Sequence, residues 1–468
     1  MKIVRLARWL FLVVPMLALA FFAVRGWDDS AERRGEAKKI SSGKSYKLET
    51  VVEATPVLSL TAAGWDSERV WGGEDDWEPA VAVDPGNASF IYQLTTRYSG
   101  PTACQNCKLP AIIFRRSSDG GTTWEPDQFL AATTKAQNDP EIEVDNSGTI
   151  HAVWLDAYNP GVSYVKSTNR GATWSARKSF IGKGTKPTWS DKPILAISRN
   201  GQYVYIAFNA SDSYVVVSSN GGNTFSAPVK TNSDARYWFH NGGAVSPSDG
   251  RVAWFGAADF STTYEGDAGI NVIKTTNGGT SWTTTRVDTS RQMPDCTAIG
   301  CYLGFYGSSN AIAVDSAGVL MIAYHVNDVA SAPEMMYTRR STDGGTTWSA
   351  RQPISTAGAS ANHAFPAIAA HPTSAGTFSV AWQDDRIGGN RAWNTWSRST
   401  TNAGSTWSAE ARLSDLGAVV GYKGANGYAF PYGDYFELGM GPDGRKHVIW
   451  AEGKNYIGPG GTWYTRGQ

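Results

Sequence analysis

Short apolar segments that end in a polar residue recur along the whole chain, separated by turn-forming residues. Clear examples are residues 151–156, 204–209 and 379–384. Segments this short, rich in β-branched and aromatic residues and flanked by Gly, Asn and Asp, indicate strands rather than helices. Seven such segments can be counted, from residues 89–92 to residues 447–452. The pattern therefore predicts an all-β protein made of seven similar units.

An eight-residue motif, S/T-x-D/N-x-G-x-T/S-W/F, punctuates six of these units. The copies start 50 to 66 residues apart, and their third positions are Asp119, Asn169, Asn220, Asn277, Asp343 and Asn402. The Asp or Asn side chain can accept hydrogen bonds from its own turn, and the Gly permits a positive φ. The final Trp or Phe can pack under neighbouring strands. Each copy is therefore predicted to be a structural turn between the third and fourth strands of a unit.

These turns resemble Asp boxes, the bacterial neuraminidase repeat of the sialidase-like superfamily. The resemblance covers about residues 56–466 and implies a β-propeller. We expect seven blades of four antiparallel strands, with the six blades usual in sialidases as the alternative. The seventh unit lacks both the motif and a fourth strand. We expect residues 56–60 to supply that strand and to close the ring.

The N-terminus has the pattern of an export signal. Lys2, Arg5 and Arg8 precede an uncharged apolar run at residues 9–24. Residues 1–25 are therefore predicted to be either a cleaved signal peptide or a membrane anchor, the only expected contact with a membrane. Both alternatives place the protein outside the cytoplasm: periplasmic, secreted or tethered to the outer side of the membrane. Residues 26–54 are predicted to be a flexible linker and residues 55–468 the propeller.

The four cysteines form two closely spaced pairs, Cys104 with Cys107 and Cys296 with Cys301. In an exported protein such pairs predict two local disulfides. A four-cysteine zinc site would require the pairs to meet in space.

The net charge of the chain indicates which classes of partner it can bind. The chain has 42 Lys and Arg against 42 Asp and Glu, so its net charge is zero. A nucleic-acid-binding protein would normally carry a basic excess, so no nucleic-acid partner is expected. We expect a monomer whose partner is a glycan or a cell-envelope component.

Propeller topology sorts the candidate functional residues. The starts of the first strands and the ends of the second strands share one face, here called the entry face, and the repeated turns lie on the opposite face. Candidate catalytic residues on the entry face are His240, His325, His363, Asp384, Arg386 and Tyr432. Candidate ligand-binding residues are Arg97, Asp139, Asp156, Asp191 and Asp434.

These side chains suit chemistry on a polysaccharide. Histidines and carboxylates can act as general acids and bases, an arginine can bind an anionic group, and a tyrosine can be a nucleophile. The alternative for any single acid is a structural role at the entry of a strand. No cofactor is expected. Calcium binding is an open alternative because many acidic residues lie on the entry face, although no loop has the D-x-D-x-D-G pattern.

The resemblance to sialidases implies three arginines, a Tyr–Glu pair and a separate Asp. The chain has no Arg-Ile-Pro segment, and only Arg97 and Arg386 occupy clear entry-face positions. The favoured function is therefore recognition of a glycan or cell-envelope ligand. The alternatives are a sialidase-like glycoside hydrolase and a polysaccharide lyase, for which the three histidines on blades 4, 5 and 6 are the main argument.

Overall fold

The computed structural model describes residues 62–71, 75–157, 161–180, 190–262, 265–296, 307–389, 392–414, 423–424, 427–428, 433–453 and 460–468. Within these ranges the chain forms seven four-stranded antiparallel sheets and a short two-stranded hairpin. This confirms the seven-bladed β-propeller, and the six-bladed alternative is wrong. The same ranges contain no helix able to cross a membrane. Residues 1–25, 26–54 and 56–60, together with Tyr432 and Cys301, lie outside them.

Strand β1 (Arg69–Val70) belongs to the last blade, and the remaining strands follow in chain order. Blade 1 contains β2 (Asp76–Val83), β3 (Ile91–Arg97), β4 (Ala111–Ser117) and β5 (Gln128–Phe129). Blade 2 contains β6 (Gln137–Val144), β7 (Ile150–Asp156), β8 (Val162–Ser167) and β9 (Lys178–Ser179). Blade 3 contains β10 (Asp191–Ile197), β11 (Val204–Ala210), β12 (Asp212–Ser218) and β13 (Val229–Lys230).

Blade 4 contains β14 (Tyr237–Val245), β15 (Ala253–Thr262), β16 (Glu265–Thr275) and β17 (Thr283–Ser290). Blade 5 contains β18 (Asn310–Val314), β19 (Leu320–Val326), β20 (Met335–Ser341) and β21 (Gln352–Pro353). Blade 6 contains β22 (His363–Ala370), β23 (Phe378–Asp384), β24 (Asn394–Thr400) and β25 (Ala411–Arg412). The hairpin is β26 (Lys423–Gly424) and β27 (Gly427–Tyr428), and blade 7 contains β28 (Glu437–Met440), β29 (Lys446–Gly453) and β30 (Gly460–Gly467).

The ring is closed by strand β1, which is the fourth strand of blade 7. Arg69 pairs with Tyr464 and Val70 pairs with Trp463 on β30. The closing strand is therefore Arg69–Val70 rather than residues 56–60. A blade built from both ends of the chain leaves no break in the ring, which protects the edges of the sheets.

The six repeated turns share one hydrogen-bond pattern. In the first copy the N–H of Gly121 donates to Ser117 Oγ at 2.9 Å, and the N–H of Thr123 donates to Asp119 Oδ1 at 2.8 Å. The other five copies form both bonds as well. The role of these residues is therefore to shape the turn, as the motif predicts.

The turn aromatics pack on the preceding blade. Trp174 of blade 2 meets Phe114 of blade 1 edge-on at 5.2 Å between ring centroids, and Phe225 of blade 3 meets Tyr164 of blade 2 at 5.0 Å. Trp124 of blade 1 meets Tyr464 of blade 7 at 5.3 Å. These contacts extend the apolar clusters between neighbouring blades, so the motif links blades as well as shaping turns.

Of the two predicted disulfides, the structure contains the bond between Cys104 and Cys107. Cys296 is buried. Since Cys301 lies outside the described ranges, its pairing with Cys296 stays a prediction.

Candidate functional site

The innermost strands of blades 1, 2 and 3 carry a β-bulge at the same place. In each strand the bulge includes the residue before a proline: Glu78, Asp139 and Lys192, with φ values of 52°, 50° and 39°. A bulge changes the direction of the side chain it carries. All three side chains are buried. Because the innermost strands surround the propeller axis, the bulges bring residues of different blades together there.

The resulting group, called the axial cluster, comprises Glu78, Asp139, Asp191, Lys192 and Asp434. Carboxylate oxygens of Glu78, Asp139 and Asp434 lie within 4.8 Å of one another. Lys192 Nζ lies 3.0 Å from Asp434 Oδ1. Three blades and the segment leading into blade 7 thus supply four acids and one base to a single entry-face site.

Hydrogen bonds hold the axial cluster in place. Thr96 Oγ1 donates to Glu78 Oε2 at 3.0 Å, and the N–H of Asp139 donates to the same oxygen at 3.3 Å. The Lys192 ammonium also lies 3.7 Å from the ring centroid of Tyr435, whose hydroxyl donates to the carbonyl of Pro140. The cation–π contact and the ion pair fix the lysine between an aromatic face and a carboxylate.

Asp139 is the carboxyl group of this cluster most suited to hold a proton. Burial, and then three neighbouring carboxylates, raise the pKa of Asp139 well above its ordinary value. Lys192 opposes this shift but does not cancel it. A carboxyl with a raised pKa beside other carboxyl groups is an arrangement that suits general acid–base catalysis. Asp434 keeps 25% of its side chain exposed, so the cluster is open to solvent on that side.

A second acidic layer follows along the same strands. Glu437 Oε2 accepts the N–H of Val81 at 2.7 Å, and Glu141 accepts the N–H of Leu195. Burial raises the pKa of Glu141 to about 8 and that of Glu143 to about 7, and it also raises the pKa of Glu437 well above its ordinary value. Glu141 and Glu143 can therefore hold protons near neutral pH, while Glu141 and Glu437 join the inner strands of adjacent blades.

The axial cluster could hold a cation. Glu78, Asp139 and Asp434 each offer one carboxylate oxygen, and oxygen is the ligand atom that Ca²⁺ prefers. This agrees with calcium as the open alternative, although Lys192 already neutralises part of the negative charge there.

Of the three candidate histidines, His240 stands apart. It is fully buried, and its Nε2 lies 2.8 Å from Ser213 Oγ of blade 3. Burial lowers the pKa of His240 to about 3, so its ring is neutral at physiological pH.

His325 and His363 meet at Glu334 in the interface of blades 5 and 6. His325 Nδ1 lies 2.5 Å from Glu334 Oε2, and His363 Nδ1 lies 2.8 Å from the Glu334 carbonyl oxygen. On its other side, His363 Nε2 lies 2.8 Å from Ser355 Oγ. Both imidazoles are at most 1% exposed. Two of the three predicted histidines are thus brought together, in a buried network away from the axial cluster.

Arg386 is held on several sides. Its guanidinium donates to Asp384 at 2.6 and 2.8 Å and to Glu410 at 2.6 and 2.9 Å. It also stacks over the Trp396 ring at 4.0 Å. To bind an anionic sugar, Arg386 would have to release these carboxylates.

An ion pair of this kind recurs in six blades. Each joins a residue near the exit of the second strand to one in or just before the fourth strand. The pairs are Arg97–Asp127, Asp156–Arg177, Asp212–Lys230, Asp259–Arg286, Asp328–Arg351 and Arg386–Glu410. Arg97 also forms two hydrogen bonds to Asp76. The candidate residues Arg97, Asp156 and Arg386 therefore occupy equivalent positions in three blades and do not converge on one another. Arg386 and Asp384 do meet the predicted partner His363: His363 Nε2 lies 3.9 Å from Asp384 Oδ2, and Ser355 Oγ contacts both His363 and Arg386.

The sequence thus predicted some members of the axial cluster. Asp139, Asp191 and Asp434 converge at the axis, while Lys192 and Tyr435 were not among the candidates. The sequence does contain a signal that could have identified Lys192 as a site residue, because Lys192 precedes Pro193 as Asp139 precedes Pro140. Tyr435 follows Asp434 but has no motif that marks it. The predicted catalytic roles, including that of Tyr432, stay predictions.

No protein-family model matches the sequence. Among curated proteins, a xyloglucanase of Hypocrea jecorina (strain QM6a) is 25% identical over 338 residues, which cover 66% of this chain and 36% of that protein. The match therefore spans about a third of the relative's length.

Solved structures with similar chain traces have low sequence identity. An ulvan lyase aligns over 86% of this chain and 95% of its own, with 11% identity and a TM-score of 0.48. A protein of unknown function from Dyadobacter fermentans DSM 18053 aligns over 86% and 98%, with 13% identity and a TM-score of 0.46. A Hadza microbial sialidase aligns over 89% and 98%, with 11% identity and a TM-score of 0.44. Similarity at this level says nothing about substrate or reaction.

Proposed function

We propose that the protein is an exported, Asp-box propeller that binds a glycan at the axial cluster. The observation that carries this proposal is the convergence of Glu78, Asp139, Asp434 and Lys192 from separate blades onto the entry-face axis. A polar site of this kind, built where the inner strands meet, is where propellers and other closed folds place ligands.

The chemistry of the cluster suits a polyhydroxylated ligand. Ionised carboxylates accept hydrogen bonds from sugar hydroxyls, and the Lys192 ammonium donates them. The excess of carboxylates over the single lysine disfavours an anionic glycan, since like charges would be brought together in a partly buried site. The xyloglucanase relative supports a polysaccharide as ligand. We therefore favour a neutral glycan, met outside the cytoplasm by a periplasmic, secreted or tethered monomer.

Binding is tested by titrating the full-length chain with a panel of neutral and acidic polysaccharide fragments in a calorimeter. Asp434→Asn removes the partly exposed carboxylate of the cluster and is expected to weaken binding about tenfold or more. Asp119→Asn is the matched control, because it makes the same chemical change on the opposite face, where four of the six repeated turns already carry Asn. Equal binding by both variants, or no binding to any fragment, contradicts the proposal.

A second candidate function is hydrolysis of that glycan. It is favoured by the raised pKa of Asp139 beside carboxylates whose oxygens lie within 4.8 Å. Asp139 would protonate the leaving oxygen, and Asp434 or Glu78 would act as base or nucleophile. Calcium at the same carboxylates is the competing use of the cluster.

Turnover is tested by release of reducing ends from the fragments that bind. Hydrolysis predicts that Asp139→Asn abolishes release while binding persists. A lyase would instead yield unsaturated products, and a sialidase would release free sialic acid, so the product distinguishes the three reactions. Saturable binding with no product from any fragment would support glycan recognition without catalysis.

A further inference from the structure

On the face opposite the axial cluster, blades 1 and 2 border an open polar cavity of about 570 Å³. Its walls are the turns between first and second strands of both blades and the repeated turn of blade 2, with Asp84, Asn87, Asn146, Ser147 and Arg170 among its lining residues. We propose that this cavity, called the far-face cavity, is a second ligand site that binds a neutral saccharide. Its volume lies within the range of small-molecule sites in proteins.

The first argument is an unsatisfied carboxylate oxygen. Asp84 is only 4% exposed. Its Oδ1 accepts the N–H of Gly86 at 2.8 Å, whereas its Oδ2 receives no hydrogen bond from the described residues. A carboxylate oxygen at a cavity wall that has no donor in the protein is available to a donor from a ligand or from solvent.

The equivalent aspartates of other blades show that this is specific to blade 1. In blade 2, Asp145 Oδ2 lies 3.4 Å from His151 Nε2, and its Oδ1 accepts backbone N–H groups of its turn. In blade 5, Asp315 Oδ2 accepts the N–H of Gly376 at 2.6 Å. Between blades 2 and 3 the space is also filled, since a Cβ on Gly201 would lie 2.0 Å from Asp145 Oδ2. In those blades the protein itself satisfies the carboxylate.

A second buried polar group points to the same region. Tyr92 is the second residue of its strand, as His151 is in blade 2. Its hydroxyl is buried and has no hydrogen-bond partner among the described residues. Burial, and then the Asp84 carboxylate, raise the pKa of Tyr92 to about 12, so this hydroxyl keeps its proton. Where blade 2 pairs its histidine with its aspartate, blade 1 leaves the Tyr92 hydroxyl and Asp84 Oδ2 without a hydrogen bond from the described residues.

The lining chemistry indicates a neutral saccharide. Asp84 offers an acceptor to sugar hydroxyls, and the side-chain amides of Asn87 and Asn146 both donate and accept. Arg170, whose guanidinium lies 3.7 Å over the Phe90 ring, adds a donor on a fixed platform. A single carboxylate is a poor site for Ca²⁺, which prefers several charged oxygens. A ligand with many hydroxyls satisfies this mixture better than an ion.

The test uses the full-length chain with glucose, galactose, xylose and cellobiose as probes, followed by calorimetry and saturation-transfer NMR. At least one sugar is expected to bind. Asp84→Asn keeps the shape of the side chain and is expected to weaken that binding about tenfold. Ser147→Trp places a large ring in the cavity and is expected to abolish the binding. Ala317→Trp, in the equivalent exposed turn of blade 5, is the matched control and should leave it unchanged.

Asp434→Asn in the axial cluster separates this site from the proposed function. If the sugar binds only in the far-face cavity, Asp434→Asn still binds it and Ser147→Trp does not. If the sugar binds at both sites, the stoichiometry of binding falls from two sugars per chain to one in Ser147→Trp. Retention of all binding by Ser147→Trp, absence of sugar binding, or binding of Ca²⁺ alone that Asp84→Asn abolishes would each overturn the far-face site.

Discussion

Arg386 donates two hydrogen bonds to Glu410, at 2.6 and 2.9 Å, from the exit of the second strand of blade 6 to the edge of its fourth. The same connection recurs in blades 1 to 5, with the charges exchanged in blades 2 to 5. Fourth strands of only two residues have few ladder bonds, such as Trp396–Arg412 and Ser397–Ala411 in blade 6. The ion pair therefore fastens the outermost strand to its blade.

The strength of this fastening should depend on burial. Glu410→Gln is expected to lower the free energy of unfolding by about 1–3 kcal/mol, because its partner Arg386 is largely buried and loses a charged acceptor. Asp328→Asn is the control, since Asp328 pairs with Arg351 but its side chain is 64% exposed. It should cost less than about 1 kcal/mol. Chemical denaturation measures both, and equal losses would contradict the role of burial.

The glycine of each repeated turn should be intolerant of a side chain where it touches the preceding blade. Gly222 has a φ of 75°, and a Cβ there would lie 2.0 Å from the hydroxyl oxygen of buried Tyr164. Gly222→Ala is expected to cost about 2–4 kcal/mol, from backbone strain and steric overlap together.

Gly318→Ala isolates the backbone part of that cost. Gly318 has a φ of 88°, but a Cβ there would meet no atom within 4 Å. Its substitution should cost about 1–2 kcal/mol. If thermal denaturation shows the same loss for both variants, the contact with the preceding blade contributes nothing.

The acidic layer below the axial cluster should make stability fall as pH rises from the ordinary glutamate pKa through about 7 and 8. Burial raises the pKa of Glu143 to about 7 and that of Glu141 to about 8, above the ordinary glutamate value of 4.5. The folded chain therefore holds protons that the unfolded chain has lost, and this stabilisation disappears as pH rises through 7 and 8. A decrease on the order of 1–3 kcal/mol between pH 6.5 and 9 is expected.

Glu143→Gln tests this assignment. A neutral amide replaces a carboxyl that is protonated at low pH, so the variant should match the original chain at about pH 4 and exceed it in stability by a growing margin up to pH 8.5. Glu125→Gln, at a side chain that is 36% exposed, is the control and should leave the pH dependence unchanged. A pH profile of Glu143→Gln parallel to that of the original chain would refute the proton assignment.

His363 can be tested for a structural or a catalytic role in one experiment. His363→Ala removes the contacts to the Glu334 carbonyl oxygen and Ser355 Oγ and leaves a buried gap. We expect a loss of about 1–3 kcal/mol of stability and unchanged glycan binding at the axial cluster. Loss of turnover with an unchanged melting temperature would instead support the catalytic role that the sequence predicts.

The sequence led to three of the five members of the axial cluster. Asp139, Asp191 and Asp434 could be placed on the entry face because strand order alone decides which ends of the strands share a face. Lys192 was not selected, since a lysine near a strand entry ordinarily lies in solvent. Its burial follows from a bulge, whose effect on side-chain direction depends on the pairing with β11.

The histidines show the same limit of prediction from sequence. Their positions on blades 4, 5 and 6 are readable from the chain, but their neighbours are not. Ser213 reaches His240 from blade 3, and Glu334 reaches both His325 and His363. These contacts exist only after adjacent blades pack against each other.

The sequence by itself determined the all-β class, the seven blades and the six repeated turns, because strand periodicity and turn chemistry are encoded within about ten neighbouring residues. Tertiary structure alone decided that Arg69–Val70 closes the ring, that Lys192 joins the acids at the axis, and that the Tyr92 hydroxyl has no partner among the described residues. Each of these depends on residues far apart in sequence, whose distances are set only when the seven blades close into one ring.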